Sequence, residues 1–197
     1  MSQRKPTKRE GSAGRASGNK MKKDDNVSTV IERETKLLFA PKRYVVFSKF
    51  NNIDHVHIRE YNMNEIEQIE FPTKKGICLT AGRLRSFLII IDNIDERLKQ
   101  RYSNTGYKTH IGAGIYATIT QFHCVDLRRH WIPEGQLQVV PTKQGITLNP
   151  TQWNALKEKL RELLTIHPEL ENCETCFHQN QMDMYSCNEC APFGVLT

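Results

Sequence analysis

The segment Pro72-Thr-Lys-Lys-Gly-Ile-Cys-Leu-Thr80 returns later in the chain as Pro141-Thr-Lys-Gln-Gly-Ile-Thr-Leu-Asn149. Thirteen residues before each proline stands an arginine in a strand-like run, Arg59 in the first copy and Arg128 in the second. Self-similarity that keeps its spacing is the sequence signature of a repeated structural unit. The sequence therefore predicts two copies of one small unit.

The aromatic residues upstream extend the repeat. Tyr44 and Phe50 are six residues apart, as are Tyr116 and Phe122. The step from Tyr44 to Tyr116 is three residues longer than the step from Arg59 to Arg128. The first copy thus holds three more residues than the second between its phenylalanine and its arginine. We assign them to a longer turn at residues 51–54.

Each copy has the pattern of a small sheet followed by a helix. In the first copy, β-branched, aromatic or alternating runs predict strands at 43–48, 56–61, 66–71 and 76–79. In the second copy, Asn149 is a good N-cap, Pro150 suits the first helical position, and Gln152 can complete a capping box. In the first copy, Thr80 is the expected N-cap. The predicted fold class is α+β: two tandem units, each a four-stranded antiparallel sheet followed by a helix.

The predicted helices carry more apolar surface than one small sheet can cover. In the first helix, Ile89 and Ile90 widen the stripe that contains Leu84, Phe87 and Ile91. A unit of about 60 residues buries only about 60% of its unfolded surface, so it is marginal by itself. We therefore predict that the units pair as an intramolecular pseudo-dimer, with higher assembly left open. The predicted segments are a disordered basic tail at 1–36, repeats at 37–102 and 109–167, and a cysteine-bearing tail at 168–197.

The charge distribution favours a polyanionic partner. The chain has 197 residues and a formal net charge of +6, yet residues 169–197 contain no Lys or Arg and five Asp or Glu. A cationic body suits nucleic acid. The basic clusters at 1–28 are a nuclear address, extra phosphate contacts or a plain solubilising tail. The sequence has neither a long apolar run nor a secretory signal, so we expect no membrane contact and a nuclear location.

The polar faces of the strands and the loop before the last strand gather cations and rings. Cations neutralise phosphates and rings stack on unpaired bases, which is the chemistry that single-stranded nucleic acid requires. The alternative is that the phenylalanines are core residues and the lysines a solvated edge. Glycines beside the lysines, Gly76 and Gly145, would let a phosphate approach the backbone. The predicted nucleic-acid-binding residues are Arg43, Lys49, Phe50, Arg59, Lys74, Lys75, Phe122, Arg128, Arg129, Trp131 and Lys143.

These motifs resemble the C-terminal domain of the transcriptional coactivator positive cofactor 4. The resemblance rests on Ile58-Arg-Glu-Tyr61 with Lys74-Lys-Gly-Ile-Cys-Leu-Thr80, and on Asp126-Leu-Arg-Arg-His-Trp131 with Lys143-Gln-Gly-Ile-Thr-Leu-Asn149. It implies single-stranded or melted DNA as the ligand, a coactivator role with RNA polymerase II, and contacts with transcription proteins. Duplex DNA is an alternative ligand. The family's tryptophan is Asn62 in the first copy, which predicts one lopsided surface centred on Trp131.

The C-terminal segment has the spacing of a metal site. Cys173, Cys176, Cys187 and Cys190 form a C-x₂-C-x₁₀-C-x₂-C pattern that favours a structural, tetrahedral Zn²⁺ site in a reducing compartment. Two disulfides, a thiol redox pair or no shared site are the alternatives. Cys78 and Cys124 fall in strand patterns, which predicts core thiols.

Other classes of function remain as alternatives. Metal-dependent nuclease chemistry needs clustered carboxylates, whereas the acids here are scattered, and no phosphate loop or nucleophile motif is present. We therefore expect a protein that is not an enzyme. The alternatives are a protein that coats single strands in replication, repair or a mobile element, and a protein-interaction adaptor that docks through the zinc tail.

Overall fold

A computed structural model of the chain describes residues 34–100, 106–131, 133 and 140–175. The described residues of both repeats belong to one compact unit. The predicted basic tail lies almost wholly outside the described residues, and most of the cysteine pattern does as well. No helix in the described part of the chain is long and apolar enough to cross a membrane.

The first repeat is an antiparallel sheet followed by a helix. Its strands pair in sequence order β1-β2-β3-β4. The elements are β1 (Thr35–Ala40), β2 (Arg43–Phe50), β3 (Ile53–Asn64), β4 (Ile69–Thr80) and α1 (Ala81–Lys99).

The second repeat has the same architecture. Its strands pair in the order β5-β6-β7-β8, again antiparallel. The elements are β5 (Lys108–Gly112), β6 (Ile115–Ile119), β7 (Val125–Trp131), β8 (Val140–Leu148) and α2 (Pro150–Ile166), followed by a short 3₁₀ helix at Pro168–Glu171. The fold class predicted from the sequence, two four-stranded sheets each followed by a helix, is confirmed.

The strands themselves differ from the prediction in two places. The sequence did not predict β1, or its counterpart β5, because both are short edge strands that share little sequence beyond Lys36 and Lys108. The predicted strands at 66–71 and 76–79 are instead joined in the single strand β4, which begins only at Ile69 and continues through Pro72. Because β4 is an edge strand of its own sheet, a residue without an N–H is tolerated there.

The three extra residues of the first repeat lengthen a hairpin. Asn51 and Asn52 form a two-residue turn with φ of 51° and 59°, as in the hairpin turns in which both central residues have positive φ. Strands β2 and β3 pair right up to this turn, from Arg43 opposite Glu60 to Phe50 opposite Ile53. In the second repeat, β6 ends at Ile119 and a loop precedes β7. The assignment of the extra residues to a longer turn was therefore wrong.

One continuous core joins the two repeats. Phe87 of α1 and Trp153 of α2 are both buried, and their rings lie 6.0 Å apart at 66°. Helix α2 contacts β1 and β2 of the first repeat, and α1 contacts β5 of the second. Each helix therefore covers apolar surface of the other repeat as well as of its own.

The two helices start differently. Asn149 accepts a hydrogen bond from the Gln152 backbone N–H, and the Gln152 side chain bonds back to the Asn149 N–H, so the predicted capping box is present. Thr80 holds the N-cap position of α1, but its side chain forms no capping bond. Of the two predicted extensions of the apolar stripe on α1, Ile90 packs against the core and Ile89 is 57% exposed.

Candidate nucleic-acid interface

The two repeats hold their central arginines in the same way. Arg59 donates from Nη1 to the Thr73 carbonyl at 2.6 Å, and Arg128 donates from Nη1 to the Thr142 carbonyl at 3.0 Å. Each accepting threonine lies in a segment where the strand pairing shifts register. The guanidinium groups are thereby fixed beside the irregular segment that carries the lysines.

The threonines fix the shape of that irregular segment. Thr73 Oγ1 donates to the Glu60 carbonyl at 2.8 Å and accepts the Lys75 N–H at 3.1 Å. Thr142 Oγ1 makes the equivalent bonds to the carbonyl of Arg129 and the N–H of Gln144, at 2.8 and 3.1 Å. Repetition of these four bonds explains why the Pro-Thr-Lys segment is the best-kept part of the duplication.

The glycines after the lysines serve the arginines. A Cβ atom at Gly76 would lie 2.5 Å from the Ile58 carbonyl oxygen and 2.8 Å from Arg59 Cβ. At Gly145 a Cβ atom would lie 2.8 Å from Arg128 Cγ. The space beside each glycine is thus filled by the neighbouring strand, and the physical reason for glycine is this close approach. The expectation that a phosphate approaches the backbone beside these glycines stays a prediction.

The lysines near each arginine differ in their partners. Lys74 and Lys143 are exposed. Lys75 is also exposed, but its Nζ lies 3.0 Å from Glu60 Oε1. Salt bridges at exposed positions contribute about 0–1 kcal/mol, so Lys75 can exchange Glu60 for a phosphate at little cost.

The central arginines differ in charge balance. Asp126 accepts two hydrogen bonds from Arg128, from Nε at 2.8 Å and from Nη2 at 2.9 Å, and this pairing raises the pKa of the guanidinium. The position equivalent to Asp126 in the first repeat is His57. Among the described residues Arg59 forms no ion pair, so the first repeat keeps a cation that the second neutralises.

His57 is neutral at physiological pH. Burial, and secondarily the charge of Arg59, lowers the pKa of His57 to about 4. Its Nε2 lies 3.3 Å from Ser48 Oγ and 3.9 Å from Cys78 Sγ. The side chains of Ser48, His57 and Cys78 therefore form a polar, uncharged strip across β2, β3 and β4, and Arg59 is the cation beside it. Cys78 is half-buried on this strip and Cys124 is also half-buried, so neither is the core thiol that the sequence predicted.

The two phenylalanines are solvent-exposed. Phe50 is 69% exposed at the end of β2, and Phe122 is 76% exposed in the loop between β6 and β7. The alternative in which they are core residues is therefore wrong. Tyr44 pairs with Arg59, and Phe50 lies six residues further along β2. At about 3.3 Å per residue, Phe50 is therefore roughly 20 Å from Arg59 along the sheet.

The tryptophan missing from the first repeat has a counterpart on the next strand. Trp131 is 55% exposed at the end of β7 and pairs with Val140. The equivalent pair in the first repeat is Asn62 and Phe71, and Phe71 is 45% exposed. Directly paired residues share a face of the sheet. Each repeat thus carries one exposed ring at this pair. Phe71 was not predicted from the sequence, because it lies on β4 and not at the position of β3 that matches Trp131.

Two predicted residues lie away from the central arginines. Arg43 donates to the Thr147 carbonyl at 2.9 Å and to Gln152 Oε1 at 3.0 Å, so it links the repeats. Lys49 alternates with Phe50 along β2, which places it on the opposite face, where its Nζ lies 3.6 Å from Asp54 Oδ1. Neither lies beside Arg59 or Arg128.

Of the cysteine pattern, Cys173 alone lies within the described residues. It is half-buried against the core, and its Sγ lies 3.8 Å from the Glu169 carbonyl oxygen. Cys176, Cys187 and Cys190 lie outside the described residues. The zinc site stays a prediction.

Comparison with known proteins gives two matches. The family of the transcriptional coactivator p15 (PC4) matches at residues 40–90 and 115–159. A solved chain described as a MoSub1–DNA complex with a novel DNA binding mode is 31% identical, over 39% of this chain and 91% of that chain, with a TM-score of 0.32. The two matched family segments fall one in each repeat.

The fold and the site define a tandem protein of two sheet-and-helix repeats, each presenting an arginine beside a lysine-bearing segment and exposed rings. This chain belongs to the transcriptional coactivator p15 (PC4) family.

Proposed function

We propose that this protein binds single-stranded or melted DNA across the two sheets and acts as a transcriptional coactivator with RNA polymerase II in the nucleus. One observation carries the binding proposal. In both repeats an arginine held by a backbone carbonyl lies beside an exposed lysine, and each repeat also presents exposed aromatic side chains. Family membership supports this choice of ligand and role.

The geometry suits unpaired strands better than duplex DNA. The exposed rings, Phe50, Phe71, Phe122 and Trp131, are flat surfaces on which bases can stack only when they are not paired. Stacking contributes about 1–3 kcal/mol per base. A duplex would offer its phosphates to the same lysines but would hide its bases from the rings. We therefore expect single strands to bind more tightly than duplex of the same length.

A salt titration tests this proposal. Binding of oligo(dT) and of a matched duplex would be measured by fluorescence anisotropy between about 50 and 200 mM salt, with the slope for single strands near −0.7 per phosphate neutralised. Single-strand binding at micromolar protein or below, tighter than duplex binding, is the expected result. Absence of binding at low salt would overturn the proposal and favour the adaptor.

A pair of variants locates the interface. Arg59→Ala removes the central cation that forms no described ion pair, and we expect it to weaken oligo(dT) binding at least tenfold. Arg161→Ala is the matched control, since Arg161 is exposed on α2 and lies on neither sheet. Equal, small effects of the two substitutions would show that the strand does not cross the first sheet.

We also propose that the shared core makes the two repeats an intramolecular pseudo-dimer. Helix α2 packs on β1 and β2 of the other repeat, which supports this interpretation. Each repeat expressed separately should be unfolded or should associate with its counterpart. Two stable repeats that fail to associate would contradict it.

The coactivator role extends the family's description to this chain. Its test is stimulation of transcription in a nuclear extract depleted of the protein, with restored activity as the expected result. Oligo(dT) binding without any effect on transcription would favour the protein that coats single strands.

We further propose that Cys173, Cys176, Cys187 and Cys190 hold a structural Zn²⁺. Four thiolates at this spacing match the tetrahedral preference of the ion, and Cys173 is anchored where the last described residues pack on the core. Metal analysis of protein purified without chelator should give one zinc per chain. Zinc content near zero would overturn the assignment.

A further inference from the structure

The two repeats meet at two junctions that the duplication makes equivalent. At the first junction, Arg43 of β2 donates to the Thr147 carbonyl and to Gln152 Oε1, and its Nη2 lies 3.7 Å from Glu60 Oε2. One side chain of the first repeat thus bridges to β8 and to the start of α2. This junction is filled.

At the second junction the filling side chain is missing. The position of Arg43 is taken by Ile115, since each directly precedes the repeated tyrosine. In the alignment that pairs the two Pro-Thr-Lys segments, the positions of Glu60 and Gln152 are taken by Arg129 and Arg83. Here the structure contains a cavity of about 220 Å³, which we call the junction pocket. Its lining residues include Arg59, Cys78, Arg83, Ile115, Arg129 and Gln144.

The two junctions also differ in their charged residues. At the first, the carboxylate of Glu60 lies beside Arg43 and Lys75 and balances part of their charge. At the second, Arg59, Arg83 and Arg129 line the junction pocket, and its described lining residues include no Asp or Glu. The substitution of Glu60 by Arg129 contributes most to this difference.

Both repeats are needed to form the junction pocket. The stem of Arg83 lies against Gly112 at the end of β5, where a Cβ atom would come within 3.1 Å of Arg83 Cγ. Burial raises the pKa of Cys78, and the charges of Arg59, Arg83 and Arg129 all oppose that rise. Arg59, Arg83 and Arg129 thus all line one pocket to which both repeats contribute.

We propose that the junction pocket binds one phosphate group of the DNA strand, which rests on the function proposed above. Guanidinium groups match phosphate oxygens with paired hydrogen bonds. Pockets for small-molecule ligands are usually about 300–1,000 Å³. The junction pocket, at about 220 Å³, is smaller than this and has room for a phosphate group. Because Arg59 also lies on the first sheet, the phosphate would anchor the strand where that sheet meets the second repeat.

The first test removes two cations from the pocket of the full-length protein. Arg83→Gln installs the residue that the first junction has at this position, so the variant should fold, and Arg129→Gln is combined with it. The combined variant should bind oligo(dT) at least tenfold more weakly, with a salt slope lower by about 0.7 for each phosphate that it no longer neutralises. Arg85→Gln, a cation on the same helix that does not line the pocket, should change affinity by less than twofold.

The second test does not depend on DNA. Inorganic phosphate should slow the alkylation of Cys78 relative to that of Cys124, compared with chloride at equal ionic strength, and the combined variant should lose this protection. Adding or omitting a 5′-phosphate on the oligonucleotide distinguishes a terminal phosphate from an internal one. Tighter binding of the phosphorylated strand assigns the pocket to the terminal group, and equal binding assigns it to the backbone.

The outcomes separate the two proposals. If the wild-type protein binds oligo(dT) and the combined variant matches Arg85→Gln in affinity and salt slope, the pocket proposal is wrong and the proposed function stands. If the wild-type protein does not bind oligo(dT), the proposed function is wrong. Unchanged Cys78 alkylation in phosphate would likewise overturn the pocket assignment.

Discussion

The indole Nε1 of Trp153 donates a hydrogen bond of 2.6 Å to Oδ1 of Asp95, and this bond joins the helices of the two repeats. The second oxygen of the same carboxylate accepts a hydrogen bond from Lys157. Trp153 is 1% exposed, so its N–H has no access to bulk water. One acidic residue of α1 thus satisfies two side chains of α2.

Asp95→Ala should lower the free energy of unfolding by about 2 kcal/mol. The substitution leaves the buried indole N–H without a partner, and an unsatisfied buried donor costs about 1–3 kcal/mol. Urea denaturation of the full-length protein measures the change. Asp92→Ala is the control, because Asp92 is exposed on the same helix. Similar losses for the two variants would show that the bond does not stabilise the packing of the repeats.

The sequence was sufficient to predict this pairing in outline but not in detail. Duplication, the helix in each repeat and the capping box at Asn149 all follow from local patterns, and the structure contains them. The edge strands β1 and β5 do not follow from local patterns, because pairing with the neighbouring strand defines a short edge strand more than its own residues do. The bond between Asp95 and Trp153 joins residues 58 positions apart, and no local pattern indicates it.

Phe71→Ala and Trp131→Ala should each weaken single-strand binding by about tenfold. Each substitution removes the exposed ring from one cross-strand pair, Asn62–Phe71 or Trp131–Val140. Loss of one stacked base costs about 1–3 kcal/mol. Asn62→Ala should have little effect, because the ring of that pair lies on β4. Ile66→Ala serves as control, since Ile66 is 93% exposed in the turn of the same hairpin. Anisotropy with oligo(dT) measures all four variants. If Phe71→Ala behaved like the control, the ring of the first repeat would not contact bases.

Asp126→Asn should tighten single-strand binding several-fold. The change removes the charge that neutralises Arg128 but keeps an acceptor for Thr147 Oγ1, which now lies 2.7 Å from Asp126 Oδ1. The freed guanidinium adds a phosphate contact, so the salt slope should steepen by about 0.7. Glu158→Gln on α2 is the control for net charge. An unchanged slope would place Arg128 outside the path of the strand.

His57→Gln should flatten the dependence of stability on pH between about 6.5 and 4. The folded protein holds the pKa of His57 near 4, mainly through burial, whereas the unfolded chain takes up the proton near 6.5. The unfolded state therefore binds more protons in this range, and wild-type stability falls as pH falls through it. The expected loss is on the order of 2 kcal/mol, since partial exposure reduces the effect.

Urea denaturation at several pH values measures this dependence. Asn62→Gln, an exposed substitution on the same strand, is the control and should keep the wild-type slope. Burial also lowers the pKa of His110 and His130, so some dependence remains in His57→Gln. Identical profiles for the variant and the wild-type protein would exclude His57 as the main contributor.

The structure brings some of the predicted site residues together and separates others. Arg59, Arg128 and the lysines of the Pro-Thr-Lys segments come together through backbone bonds that both repeats share. Arg43 has the right charge but bonds to the other repeat, which a linear pattern does not show. We also no longer expect one binding surface centred on Trp131. Phe71 supplies an exposed ring to the first repeat, and Asp126 reduces the positive charge of the second.

The covalent link between two copies that share a core has an evolutionary consequence. In a homodimer every substitution occurs twice, so both surfaces must tolerate it together. Here Glu60 and Arg129, or His57 and Asp126, occupy matching places yet differ in charge, since on one chain each position can change alone. Dilution also cannot separate the copies, since they lie on one polypeptide. A repeated unit on a single chain can therefore give its two halves different tasks.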